Sequence, residues 1–314
     1  MKIQGGISME KLMTGVHFED FFLSLNVRPR SMNVYRYNLG RFFHYLEVRK
    51  INQPMREHIF AYRNFLIQNG KKPSTIHAYI IAVRLFFRWA AEEGLYDNIA
   101  ERVKAPAHRQ LHRRDALTAK QVRDVLERID RDGLKGRRDY AIVALMAIGG
   151  LRCIEIARAR VGDLVKRERS TFLYIHGKGR DDSGTEYLRL SPILKQALQD
   201  YLDERGKVEL TAPLFASLGN RNGGGRLSTR SISKTVKDRL REAGLDSDRL
   251  CAHSLRHTAV TLALQGGEKL EAVKEFARHT DVNTTLTYSH TIDRNRCTCT
   301  QTVERVIFKT AKQA

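Results

Sequence analysis

The chain has 314 residues, 42% of them hydrophobic and 29% charged, with 55 Lys+Arg against 35 Asp+Glu for a formal net charge of +20. That length holds one large domain or two moderate ones, each with its own core, and the balance fits a soluble globular protein. No apolar run reaches membrane-spanning length and the opening MKIQGGISMEK lacks a signal peptide's apolar stretch, which excludes a membrane protein and points to the cytoplasm.

The basic excess is distributed. Residues 1–116 carry 19 Lys+Arg against 10 Asp+Glu, and residues 117–314 carry 36 against 25, for nets of +9 and +11. A body basic throughout favours a polyanionic partner, most often nucleic acid. On charge alone, ribosomal or membrane-surface binding stays open.

In chain order, the first hundred residues predict four amphipathic helices. Phe18, Phe21, Phe22 and Leu25 recur at helical spacing. Tyr35, Leu39, Phe42, Phe43 and Leu46 repeat the pattern after a break at Pro29. Ile59, Tyr62, Phe65 and Leu66 follow Pro54, which suits a first helical turn, and Gly70 suits a stop. Ser74 or Thr75 can cap a helix striped by Tyr79, Ile80, Val83, Phe86, Phe87 and Ala90. Four such faces make a small bundle. Arg28, Arg30, Arg36, Arg41, Lys71, Lys72 and Arg84 fall on the polar faces, either as a solvated surface or as contacts to a polyanion.

Residues 104–116, KAPAHRQLHRRDA, lose apolar periodicity and read as a linker. Thr118 is a plausible N-cap for LTAKQVRDVLERI. DYAIVALMAIGG predicts a buried helix ended by its two glycines, and LRCIEIARARVGDL another helix. TFLYIHGKGRDDSGTEYLRLS predicts two strands around a turn. GNRNGGGR reads as a loop; it lacks the Lys-Ser/Thr of a phosphate-binding loop, so no nucleotide is expected. Helices resume through SISKTVKDRLREAG, HSLRHTAVTLALQG and EKLEAVKEFARH. The class is mainly α with one small antiparallel sheet. Cys153 and Cys251 read as packed reduced thiols, and the C-x-C of Cys297 and Cys299 has no partner pair at zinc-ligand spacing, so no metal or other cofactor is expected.

Four segments of the second half put cationic or proton-transferring residues where helix ends and turns could converge: GLRCIE with Arg152, HGKGR with Lys178, HSLRH with His253 and Arg256, and FARHTDVNTTLTYSH with His279 and Tyr288. Each alone has a plainer reading. Arg152 can pair with Glu155, Lys178 can be a solvated loop lysine, His253 and Arg256 can cap or pair at i, i+3, and Tyr288 can be a packed phenol.

Together, in type, order and setting, these segments resemble the tyrosine recombinase (phage integrase) family. The family's first arginine sits in Gly-Leu-Arg-x-x-Glu, here Gly150 to Glu155, and its lysine in a β-hairpin turn, here Lys178. Its second box is His-x-Leu-Arg-His-Thr, here His253 to Thr258, and its last a Gly-His followed by the nucleophilic tyrosine, here His279 and Tyr288. The resemblance covers residues 17 to about 290. Arg278 stands where glycine is usual, the turn after Lys178 is a few residues longer than usual, and the arm-binding module of some phage integrases is expected to be absent.

The resemblance implies a two-domain DNA clamp. Residues 1–16 would be an extension, 17–103 a helical SAM-like core-binding domain, 104–116 a linker and 117–314 the catalytic domain with a tail at 289–314. Arg152 and Arg256 would clamp the non-bridging oxygens of a phosphodiester. Tyr288 would attack with help from His253, since a phenol's ordinary pKa is about 10. Lys178 would protonate the leaving 5′ oxygen, and His279 would hydrogen-bond the phosphate or place the nucleophile. Such enzymes work on double-stranded DNA as homotetramers across two duplexes, and the chain is expected to be a monomer or weak oligomer without DNA. The apolar tail VERVIFK would fold onto its own domain or onto a neighbour. The departures at Arg278 and in the hairpin favour a mobile-element integrase, with an Xer-type resolvase of chromosome dimers as the alternative. A non-catalytic DNA-binding protein on the same fold and a type IB relaxase fit less well, the first because the whole residue set is present.

Overall fold

The computed structural model describes residues 16–104, 115–176, 186–219 and 222–286, which fall into two compact units divided near residue 111. Among the described residues no helix is long and apolar enough to cross a membrane.

The first unit holds helices α1 (Val16–Ser24), α2 (Pro29–Val48), α3 (Arg56–Gln68) and α4 (Pro73–Glu92). Its core is aromatic. Phe21 and Phe43 both meet Phe86 edge-on, with ring centroids 5.3 and 5.2 Å apart, and Phe42 meets Tyr62 at 5.1 Å. Such pairs add about 0.5–1.5 kcal/mol each beyond the area they bury. The helix starts differ from the sequence expectation. Pro29 and Pro73 occupy first-turn positions behind extended Arg28 and Lys72, so Ser74 and Thr75 lie inside α4 and do not cap it. Proline wins there because its fixed φ already suits a helix and its missing N–H would have had no partner. Pro54 likewise precedes the cap residue Met55 and stands outside α3.

The second unit opens with α5 (Ala119–Arg128). Thr118 caps it reciprocally: the Gln121 N–H donates to the threonine hydroxyl at 3.2 Å, and the Thr118 N–H donates to the Gln121 side chain at 2.9 Å. Then come α6 (Gly133–Ala147), α7 (Cys153–Arg158), β1 (Leu164–Arg167), β2 (Ser170–Tyr174) and β3 (Tyr187–Arg189). Helices α8 (Pro192–Arg205), α9 (Thr229–Glu242), α10 (Ala252–Gln265), α11 (Leu270–Ala277) and α12 (Val282–Leu286) complete it. The strands form one antiparallel sheet in the order β1-β2-β3, with Leu164 opposite Leu173 and Leu173 opposite Leu188. Helix α6 is buried along most of its length because α8, α9 and α10 all pack on it.

Three elements depart from expectation. The helix predicted over LRCIEIARARVGDL is only α7, since Ala159 turns extended and Asp163 accepts from the Arg160 N–H at 2.7 Å to start a separate short turn. Strand β1 and helix α8 were not anticipated. The polar tail of LVKR hides a strand whose exposed end needs no apolar residue, and α8 buries only Leu194, Ala197, Leu198 and Tyr201. Cys153 and Cys251 are half-buried unbridged thiols.

Candidate active site

The site is built around the turn after α6. Gly150 takes a left-handed φ of 63°, and a Cβ there would approach the Phe276 ring to 3.1 Å, so glycine both permits the turn and lets α11 come close. Arg152 then caps α7. Its N–H donates to Glu155 Oε2 at 2.8 Å and its Nη1 to Glu155 Oε1 at 2.6 Å, while its Nη2 reaches the Arg278 carbonyl at 3.2 Å. Glu155 is 1% exposed.

Arg256, buried in α10, donates through Nη1 to the Gly150 carbonyl at 2.5 Å and through Nη2 to the Ala277 carbonyl. The first and second boxes of the sequence, 106 positions apart, are thus joined by one side chain. Arg278 closes α11 in the left-handed region, with φ 53°. It stands at a helix end, where a residue of positive φ terminates the turn. Its side chain, 4% exposed, folds inward. Nη1 donates to the Phe276 carbonyl at 2.8 Å, and Nη2 to the Gly150 carbonyl and to Glu155 Oε2, both at 3.0 Å.

Next in the chain, His279 is buried and its Nδ1 lies 2.9 Å from the Thr285 hydroxyl on α12. Burial, then the charges of Arg256, Arg152 and Arg278, with His253 adding to them, push its pKa down to about 4, so the ring is neutral near pH 7. Burial pushes the Glu155 carboxyl up, but Arg278, the Arg152 N–H and the Arg152 charge outweigh it and hold the group below its ordinary value.

The structure therefore brings Arg152, Arg256 and His279 together. His253 is an exposed residue in the otherwise buried first turn of α10, near enough for its charge to act on His279. Lys178 and Tyr288 lie outside the described residues, as does the tail. Described side chains near each are held by contacts of their own. His176 Nε2 lies 2.9 Å from Asp163 Oδ1 two residues before Lys178, and buried Thr285 holds α12 three residues before Tyr288. A cavity of about 650 Å³ opens beside the site, lined by Gly149, Tyr187, Arg189, Lys274, Arg278 and His279 among others.

In the first unit, Arg28 precedes α2, Lys71 and Lys72 are exposed between α3 and α4, and Arg84 is exposed on α4. The Arg30 side chain lies outside the description. Arg36 is otherwise engaged: it forks onto Glu19 at 2.5 and 2.8 Å and stacks 4.2 Å over the Phe22 ring.

Sequence reasoning missed Thr285, Asp163 and His176, and saw Arg278 only as a departure. Thr285 had no signal, because a five-residue helix shows no periodicity.

Comparison with known proteins bears on what this site is. Residues 17–94 match the model of the phage integrase N-terminal SAM-like domain. A tyrosine recombinase of Synechocystis sp. is 30% identical over 73% of this chain and 72% of its own. Tyrosine recombinase XerD of Listeria monocytogenes is 28% identical over 87% of this chain and 93% of its own. In fold, the chain is similar to the XerH site-specific recombinase in a post-cleavage complex with its palindromic difH substrate. The TM-score is 0.70 at 22% identity, covering 85% of this chain and 77% of that one. The phage integrase family model itself matches residues 115–295, more than half of the 314 residues, and the chain belongs to that family, the tyrosine recombinases.

Proposed function

We propose that this recombinase cleaves and rejoins DNA at specific sites through a 3′-phosphotyrosyl intermediate on Tyr288, serving integration and excision of a mobile element. The observation that carries the chemistry is the meeting of Arg152, Arg256 and His279 from three separate segments: Arg256 donates to the Gly150 and Ala277 carbonyls, Arg152 to the Arg278 carbonyl, and both charges act on His279. Arg152 and Arg256 bind the non-bridging oxygens of the scissile phosphate, where charge accumulates in the transition state. The Tyr288 oxygen forms the new bond to phosphorus as the bond to the 5′ oxygen breaks. His253 accepts the phenol proton and Lys178 gives one to the leaving 5′ oxygen. His279, neutral because of its burial and then its cationic neighbours, acts as a hydrogen-bonding group that fixes phosphate and nucleophile and carries no charge of its own. The phosphotyrosyl bond keeps the energy of the broken one, so a second 5′-hydroxyl reverses the step.

On this reading residues 17–103 are a core-binding domain, 104–116 a linker and 117–314 the catalytic domain, working in the cytoplasm as a homotetramer on two duplexes. Arg278, where the family usually has glycine, favours the mobile-element role. The similarity to XerD over most of both chains favours a second role, resolution of chromosome dimers.

Duplexes selected by the protein from a random pool supply the substrate for the test. A nicked copy of the selected duplex should trap a covalent adduct on a denaturing gel, and wild-type protein that forms none overturns the reading. A selected sequence recurring at the ends of a mobile element supports the first role; one recurring as a single chromosomal site supports the second. Relaxation of supercoiled DNA without site preference or strand exchange would point to a relaxase instead.

A further inference from the structure

Arg278 sits against its own backbone preference. A left-handed φ of 53° suits glycine, and a side chain there is disfavoured. Yet this side chain is buried and spends its donors on three acceptors: the Phe276 carbonyl, the Gly150 carbonyl and Glu155 Oε2. Two of these belong to the segment that positions Arg152, and the Gly150 carbonyl is the one Arg256 also uses.

The consequence lies in how Glu155 is shared. An arginine beside a carboxylate normally closes into a pair of parallel hydrogen bonds, one from each of two nitrogens. Here the Arg152 guanidinium reaches Glu155 through Nη1 alone, at 2.6 Å to Oε1, while its Nη2 is drawn to the Arg278 carbonyl at 3.2 Å. Oε2 is taken by the Arg152 backbone N–H at 2.8 Å and by Arg278 Nη2 at 3.0 Å. Two cations share one anion, so a net positive charge stays at Arg152, whose side chain is 33% exposed.

We propose that Arg278 is a positioning residue for strand cleavage: by occupying Glu155 Oε2 and the Gly150 carbonyl, it keeps Arg152 from closing onto that carboxylate and presents its guanidinium to the scissile phosphate. The inference rests on the recombinase reading above. Arg278 touches no reacting atom and acts through Glu155 and Arg152. It also explains how the site accommodates a residue whose backbone conformation is that of a glycine.

The test uses the full chain and the nicked duplex selected from the random pool, with the single-turnover rate of covalent adduct formation as readout. Arg278→Met keeps length and loses charge. Its rate should fall about tenfold or more while duplex affinity stays within about threefold, the pattern of an interaction made in the transition state. Glu155→Gln in the Arg278→Met background removes the carboxylate that would capture Arg152 and should recover most of the loss. A residue that merely supports the fold predicts the opposite, with the double variant falling by the product of the single losses. Arg278→Lys, which keeps the charge beside Glu155 but offers a single nitrogen, should cleave several-fold faster than Arg278→Met while falling short of wild type. It also keeps the idea testable should Arg278→Met lose cooperative unfolding. Three results overturn the inference: Arg278→Met cleaving at the wild-type rate, no recovery in the double variant, or Arg278→Lys as slow as Arg278→Met. Wild-type protein that forms no adduct overturns the recombinase reading itself, which separates the two failures.

Discussion

Glu155→Gln is the substitution whose cost follows most directly from the geometry. Three donors converge on the two carboxylate oxygens: Arg152 N–H at 2.8 Å, Arg152 Nη1 at 2.6 Å and Arg278 Nη2 at 3.0 Å. A glutamine amide has one oxygen, so either orientation sets its NH₂ against a donor. Arg278, 4% exposed, is also left without a countercharge. Removing one side of a buried pair costs about 3–5 kcal/mol. Because Arg152 is 33% exposed and can hydrate, the lower end applies, about 3 kcal/mol. With a urea m-value of about 2 kcal/mol/M, the unfolding midpoint of the second unit should drop by about 1.5 M. Circular dichroism reads that transition. Trp89, the single tryptophan, lies in the first unit, and its fluorescence should hold its midpoint. The pH dependence supplies a second arm. Glu155 sits below its ordinary value of 4.5 in the folded state, so the unfolded chain binds the extra proton. Its stabilisation is present above pH about 4.5 and fades as pH falls through the lower folded value, so the gap between wild type and variant should narrow in acid. A midpoint shift under about 0.3 M at pH 7, or a gap constant down to pH 3, would refute the shared-carboxylate account.

Further expectations concern the last box and the first unit. Thr285→Val removes the hydroxyl beside His279 from a fully buried position; it should cost about 1–1.5 kcal/mol in urea titration and slow adduct formation, with Thr285→Ser restoring both. The His279 ring, followed by NMR, should titrate near pH 4. Since the unfolded imidazole protonates nearer 6.5, the His279 contribution to stability is complete above that pH and lost as pH falls toward 4, and His279→Gln should flatten the slope between them. Lys71→Gln and Lys72→Gln should each lower the salt slope of duplex binding by about one if they touch phosphates, whereas Arg36→Gln, already paired with Glu19, should leave it unchanged.

Legibility followed the range of the interactions. The aromatic stripes of the first unit could be read because helical periodicity is local, and Phe21, Phe42 and Phe86 are fully buried as their spacing predicts. The start of α4 could not be placed from Ser74 and Thr75, because proline at the first turn outranks a capping hydroxyl. The family resemblance pointed to Arg152, Arg256 and His279, yet the contacts that bring them together come from far along the chain. Arg278 meets Glu155 across 123 positions, and the neutrality of His279 comes from its burial and then from arginines of all three boxes. A left-handed arginine is especially hard to foresee, since composition gives no sign that a cation has taken a glycine's conformation. Thr285 was hidden for the same reason: its one informative contact is tertiary.

The most direct measurement is mass spectrometry of the adduct trapped on the nicked, selected duplex. The account predicts a single modified residue, Tyr288, linked to a DNA 3′-phosphate, and no adduct from Tyr288→Phe. An adduct on any other side chain, or one that survives Tyr288→Phe, contradicts it.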